Sequence, residues 1–337
     1  MKAAYIQQPG PPENILFGDL PRPEPKPGQV LVRVRAVSVN PIDTYLRAGM
    51  VRMELPLPYV IGSDLAGVVE SLGPGVTRFH SGDRVWGSNQ GFFGRQGTFA
   101  EYAAVDEQWL HATPEGVADQ QAAAIALVGI TAHLGTFGRA RLASGETLFV
   151  HGGSGGVGSC VVQMAKAAGA RAITTAGDDE KARICRALGA DVVIDYHRDN
   201  VDEALGRAAP EGVDVWFETL REQNFDLIVS HLAKRGRIVV MAGREARPPF
   251  PVGPFYTRDC SLFGFAMFNA TADQQQPAAE AINAWLAAGK LRAQIGRVLP
   301  LSQAADAHRL QEAKTLHQTD SLSGKIVLDV MTWPRNS

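Results

Sequence analysis

The 337-residue sequence predicts an α/β protein in which a doubly wound parallel sheet is inserted into a β-rich domain. Three observations predict it. The stretch Thr147-Leu-Phe-Val-His-Gly-Gly-Ser-Gly-Gly-Val-Gly158 joins a short apolar run to a helical one through a glycine turn. Apolar runs and helical spacing then alternate as far as Phe265, the pattern that winds strands and helices into one parallel sheet. From Met1 to about Val128, by contrast, short apolar runs are broken by Gly and Pro, and the last stretch of chain resembles that half more than the middle. The expected division is therefore 1–127 for the first part of the β-rich domain, 128–267 for the inserted sheet and 268–337 for the return, with a cleft between the domains.

Composition narrows the function classes. The chain is too long for one ordinary core. A formal net charge of -2 with 20% charged residues gives no basic field for nucleic acid and no acidic tail. The apolar runs are expected to fall short of the ~18 residues of a membrane span. Met1-Lys2-Ala3-Ala4-Tyr5-Ile6 lacks the apolar core of a signal peptide, so a cytoplasmic protein is expected. Cys160, Cys185 and Cys260 are odd in number and far apart, which suggests neither a disulfide framework nor a thiolate zinc site.

Taken in order, Lys2 to Ile6 reads as a strand and Pro21 to Gly28 as an extended connector. Gln29 to Val37 alternates cleanly as a strand. Pro41 forces Asn40 into an extended conformation before a short helix, which crowds Asn40, Asp43 and Tyr45 at one turn. Asp43 there is either an acid at a solvated helix start or part of a site in which Tyr45 meets a substrate. Tyr59 to Glu70 and Gly82 to Gly87 read as strands about a Gly73-Pro-Gly75 turn, and Phe99 to Val105 as another. Gly91 to Thr98 is either a mobile flap or a long hairpin.

Beyond Pro114 two alanine-rich helices are expected, Asp119 to Leu127 and Gly129 to Gly138. Strands are then expected at Thr147 to Val150, Arg171 to Thr175, Val192 to Asp195, Val213 to Phe217, Arg237 to Met241 and Ser261 to Phe265, with helices around Val157, Glu180, Val201 and Phe225. The end reads as a helix from Gln276 to Gly289, a strand at Gly296 to Pro300, a helix from Ser302 to Lys314 with Ser302 as N-cap, and a strand at Gly324 to Val330.

Gly153, Gly155 and Gly158 carry the G-x-G-x-x-G spacing between a strand and a helix, the context in which it signals a dinucleotide. The first glycine permits the sharp turn, the second lets backbone approach a pyrophosphate, and the third lets helix and strand pack closely. Ser154, Gly155, Gly156 and Val157 make up the turn and the helix start, where free N–H groups and the helix dipole face phosphates.

Val39-Asn-Pro-Ile-Asp-Thr-Tyr45, Gly62-Ser-Asp-Leu-Ala-Gly67, Gly82-Asp-Arg-Val85, Gly97-Thr-Phe-Ala-Glu-Tyr102, His151 to Gly158 and Gly324-Lys325 together resemble the zinc-free, zeta-crystallin-like quinone oxidoreductases of the medium-chain dehydrogenase/reductase superfamily. The resemblance spans nearly the whole chain and implies a Rossmann-type sheet inserted into a GroES-like catalytic domain. Zinc-bearing relatives have a Cys ahead of a Gly-His-Glu motif, where this chain has Gly62-Ser63-Asp64, and their four-cysteine lobe has no counterpart between Val85 and Tyr102. No metal is expected.

The resemblance implies hydride delivery from NADPH to a quinone or an activated enone, with alkenal or enoyl-thioester reduction, or NADPH binding without turnover, as the alternatives. Tyr45 and Asn40 are implied at the substrate, with Asp43, Ser63 and Thr131 as weaker candidates. Lys181 matches the lysine that reaches the 2′-phosphate, and Gly177 leaves room for that phosphate, although Asp178 and Asp179 argue against it. Tyr196, Asn224, Gly243, Arg244, Phe265, Ala266 and Met267 are implied along the cofactor groove. The apolar run Ser261 to Met267 implies a homodimer in which this strand meets its copy, core burial being the alternative.

Overall fold

The structure is a computed structural model and describes residues 1–317 and 322–332. Its first unit begins with β1 (Lys2–Ile6) and β2 (Leu16–Asp19), which pair antiparallel. The long alternating strand β3 (Gln29–Val39) follows, then α1 (Pro41–Arg47), β4 (Tyr59–Val60), β5 (Leu65–Leu72), β6 (Arg84–Gly87), β7 (Tyr102–Asp106) and β8 (Leu110–Ala112). β1 lies between β2 and β4 in a three-stranded sheet, while β3 pairs antiparallel with both β5 and β7. Val30, Val32, Val34, Val37 and Val39 of β3 are all buried in this unit's core. The segment at 91–98 is a loop with left-handed backbone at Gly91, Phe93 and Gly94.

Two expected helices are one. α2 (Asp119–His133) passes through Gly129 and runs on into a π-helical turn at Leu134–Arg139. Gly129 is buried, so packing supplies what its helix propensity lacks. Asp119–Arg139 is also long and apolar enough to cross a membrane, which corrects the expectation that no stretch would be; 67% of its apolar window is buried, as in a core helix.

The second unit alternates β9 (Thr147–Val150), α3 (Gly156–Ala167), β10 (Arg171–Ala176), α4 (Asp179–Ala187), β11 (Val192–Asp195), α5 (Val201–Ala208), β12 (Val213–Glu218), α6 (Phe225–Ser230), β13 (Leu232–Val240), α7 (Val252–Tyr256), β14 (Ser261–Gly264) and α8 (Ala272–Ala287). Its six strands stand in the order β11-β10-β9-β12-β13-β14, every neighbour parallel. Phe149, Ile173, Ile194, Trp216 and Ile238 meet in the core, one from each of five adjacent strands. α8 starts earlier than expected because Thr271 and Gln274 form a capping box.

The return brings β15 (Ile295–Pro300), α9 (Ala304–Glu312) and β16 (Lys325–Asp329). β16 pairs antiparallel with β3, Val327 opposite Ser38, and β15 lies parallel on its other side. The larger sheet of the first unit thus runs β15-β16-β3-β5-β6-β8. Ser302 does not cap a helix; it lies in a 3-10 turn drawn in by buried Leu301, and Gln303 precedes α9. The compact units are Met1–Leu127 with Ala293–Ser337, and Val128–Arg292. The return expected at 268 therefore comes at Ala293, because α8 packs with the second unit.

Candidate active site

In an open parallel sheet a ligand binds beyond the carboxyl ends of the strands, where the winding direction reverses. Here that reversal lies between β9 and β12. The expected cofactor residues all follow such strand ends: Ser154 to Val157 after β9, Gly177 and Lys181 after β10, Tyr196 after β11, Asn224 after β12, Gly243 and Arg244 after β13, and Phe265 to Met267 after β14. α3 has Gly155 as N-cap and no side chain caps it, so its first N–H groups are left for an anion. A Cβ on Gly158 would lie 2.3 Å from the Gly152 carbonyl oxygen, so only glycine lets the helix start this close to the turn. The cradle fits a dinucleotide pyrophosphate.

Past β10 the two acids are already engaged. Asp178 caps α4, its carboxylate accepting the Lys181 N–H at 2.7 Å, and its other oxygen is 3.2 Å from Lys181 Nζ. Those bonds hold its carboxyl below the usual range. Asp179 accepts two bonds from Arg198, at 2.7 and 3.0 Å. A Cβ on Gly177 would stand 2.3 Å from Tyr196 Oη, so the absent side chain leaves the space beside that ring. Asn224 caps α6 through its side chain, accepting the Leu227 N–H at 3.1 Å.

In the first unit Asn40 is extended, as Pro41 requires, and forms a capping box with Asp43. Asp43, Leu46 and Arg47 are buried, and Ile42 and Tyr45, one turn apart, are half-buried on the same short helix. Arg47 ties the helix to Glu312 of α9. Asn40 is itself fully buried. Its Nδ2 donates to Asp64 Oδ2 at 2.8 Å and its Oδ1 accepts from Lys325 Nζ. Both ends of the amide are engaged inside the protein, where they fix the start of α1.

The surrounding network is closed and polar. Asp64 accepts Ser38 Oγ and Asn40 Nδ2 on one oxygen, and Ser88 Oγ and the Leu127 N–H on the other, all at 2.7–3.1 Å. Ser63 donates to Asp43, and Lys325 Nζ donates to the Val39 carbonyl at 2.7 Å. Burial pushes the Asp43 carboxyl up to about 7, with the Asp64 charge adding to it; Ser63, the Asn40 N–H and the Lys325 ammonium oppose the shift. Burial raises Asp64 as well, against the Lys325 ammonium and its donors. Of the weaker candidates, Asp43 and Ser63 meet here, whereas Thr131 lies in the second unit with its buried hydroxyl unpartnered.

Sequence reasoning missed Ser38, Asp64, Ser88 and Lys325 as one network. The usable signal was a charged residue beside apolar strand residues, in Lys325-Ile-Val-Leu and Asp64-Leu-Ala-Gly-Val-Val. Where zinc-bearing relatives present thiolate and imidazole, this chain presents an amide and a hydroxyl, with an ammonium beside them. Among the described residues no three His, Cys, Asp or Glu side chains are placed to hold a metal ion. That donor set does not fit zinc.

Residues 26–115 match the family described as "Alcohol dehydrogenase GroES-like domain", and residues 156–284 the family described as "Zinc-binding dehydrogenase". The quinone oxidoreductase of Sus scrofa is 34% identical over 97% of this chain and 97% of its own length. An Arabidopsis thaliana protein named "NADPH-dependent alkenal/one oxidoreductase, chloroplastic" is 36% identical over 68% of this chain and 58% of its own. Among solved structures, an NAD-dependent alcohol dehydrogenase superposes with TM-score 0.86 at 31% identity, covering 98% of this chain and 100% of that one. A mycobacterial protein complexed with NADPH superposes with TM-score 0.84 at 30% identity, with the same coverage of both chains.

Proposed function

Because this chain belongs to the quinone oxidoreductases of the medium-chain dehydrogenase/reductase superfamily, we propose that it uses NADPH to reduce a quinone without zinc. The observation that carries the reading is the uncapped α3 start beside a glycine turn at the point where the sheet reverses. The nicotinamide supplies the hydride when bound. Ser154 to Val157 hold the pyrophosphate through backbone N–H groups. Lys181, with Tyr196 and the space at Gly177, takes the 2′-phosphate, and the Arg198 guanidinium beside Asp179 offsets one of the two nearby acid charges. The NADPH-bound neighbour supports the same choice.

On the acceptor side Tyr45 offers its hydroxyl to the carbonyl oxygen that gains charge, and Asn40 holds the helix that carries it. The Ser63, Asn40 and Lys325 contacts support a reaction with no Lewis acid. β14 is the edge strand of its sheet, with Leu262 43% exposed, and nearby Tyr256 is 66% exposed; these support a homodimer formed through that edge.

A second reading, reduction of alkenals, is favoured by the Arabidopsis relative's name. Oxidation of NADPH with 1,4-benzoquinone or 9,10-phenanthrenequinone, set against 2-alkenals and crotonyl-CoA, separates the two. Tight NADPH binding with no turnover on any acceptor indicates a binding protein instead. Parallel titrations with NADPH and NADH test the assignment of Lys181, and tighter NADH binding refutes it.

A further inference from the structure

Backbone pairing between β9 and β12 ends at Val150 opposite Phe217. Just beyond it the two chains are joined again by side chains. His151 Nδ1 lies 3.0 and 3.1 Å from the two carboxylate oxygens of Glu218, and Thr219 Oγ1 donates to the His151 carbonyl at 3.0 Å. Glu218 is 1% exposed, and it also accepts Trp216 Nε1 at 3.1 Å and the Leu220 N–H at 2.7 Å. Phe149 and Trp216 meet the imidazole at steep angles, with ring centres 4.8 and 5.5 Å away. The His151 ring thus meets that buried carboxylate directly through Nδ1.

His151 opens the glycine turn. On the other flank the turn is tied to β10, where Gly152 N–H donates to Thr175 Oγ1 at 3.0 Å and Gly153 N–H to the Thr175 carbonyl at 3.3 Å. The turn that must present N–H groups to a pyrophosphate is thus fixed from both neighbouring strands before any ligand arrives. Fixing a binding loop in advance lowers the ordering entropy that association must overcome.

We propose that His151 and Glu218 form a positioning clamp for the dinucleotide, acting through Nδ1 on the shape of the turn. The inference rests on the nicotinamide reading above. An acceptor-only carboxylate sets the tautomer, so Nδ1 carries the proton that makes the bond. Because the turn serves the pyrophosphate shared by NADPH and NADH, the clamp affects both alike.

The test compares H151N, H151Q and H151L. An asparagine amide nitrogen occupies nearly the place of Nδ1, and a glutamine nitrogen nearly that of Nε2. Dissociation constants for NADPH and NADH are measured by quenching of protein fluorescence, with the unfolding midpoint of the free protein recorded alongside. H151L is expected to weaken both dinucleotides about tenfold, H151Q to behave like it, and H151N to stay within about threefold of wild type. The loss should fall on KM for the dinucleotide rather than on kcat at saturation. Rescue by H151Q instead of H151N overturns the clamp, as do unequal effects on the two dinucleotides or unchanged affinity in H151L. Should H151L not fold, the asparagine and glutamine variants decide alone. Failure of the unsubstituted protein to bind either dinucleotide is a separate result, which sinks the functional reading and the clamp with it.

Discussion

Replacing Lys325 with methionine removes a buried ammonium that faces two buried carboxyl groups, while keeping most of the side chain's volume. Lys325 is 5% exposed, and its Nζ donates to the Val39 carbonyl and to Asn40 Oδ1. Leaving two buried acceptors without a donor costs about 1–3 kcal/mol each. Breaking a buried charge arrangement by deleting one partner costs about 3–5 kcal/mol, so both routes converge on a loss near 4 kcal/mol. At ~2–4 °C per kcal/mol for a unit of this size, the unfolding midpoint should fall by about 8–16 °C.

The sign of the pH effect follows from Asp43. Its carboxyl, raised to about 7, is largely neutral at pH 6 and largely charged at pH 8, so the variant should lose more at pH 8. The assay is thermal unfolding by circular dichroism at both pH values, repeated on D64N and on D64N with K325M. The double variant should lose less than the sum of the singles, because neutralising Asp64 removes much of what the ammonium balanced. A loss below about 1 kcal/mol in K325M, or strict additivity in the double variant, refutes the reasoning.

His308 is fully buried with neither ring nitrogen hydrogen-bonded, and burial, with the Arg47 charge, pulls it down to about 3. A histidine depressed in the fold stabilises above its unfolded pKa and loses that contribution as pH falls; at pH 5 the loss is about 2 kcal/mol, which H308L should abolish in a pH-stability scan. Asp43 acts with the opposite sign: its raised carboxyl favours the fold at acid pH, and that contribution is lost as pH rises from the ordinary carboxylate range through about 7, levelling off above it, so D43N should flatten the pH dependence between 5 and 8. G158A drives a Cβ against the Gly152 carbonyl and should lower dinucleotide affinity at least about tenfold by calorimetry. At Gly177 the obstacle is the movable end of Tyr196, so G177A should weaken NADPH more than NADH while leaving the unfolding midpoint within about 2 °C.

The inserted sheet was legible because each strand is a short apolar run with a helix of plain spacing after it, and the residues expected to line a cofactor follow strand ends. Local signals misled where packing overrode them. Gly129 looked like a break but lies buried within α2, and Ser302 looked like a cap but lies in the 3-10 turn before α9. No local pattern foretells that Arg198 reaches Asp179 across nineteen positions, so the partner of that acid was not legible either. The buried network was illegible for the same reason. Ser38, Asp64, Ser88 and Lys325 come from separated parts of the chain, and their meeting depends on strand order, to which period-two alternation is blind.

The late arrival of β16 has a consequence for synthesis. A chain leaving the ribosome completes residues 128–292 before it reaches Lys325, so the second unit is whole while the first still lacks a strand beside β3. Until then Asp43 and Asp64 wait without their counter-charge and β3 keeps one edge open. The first half of this protein is therefore the last to be finished, and a nascent chain stalled short of residue 325 exposes that edge to its neighbours.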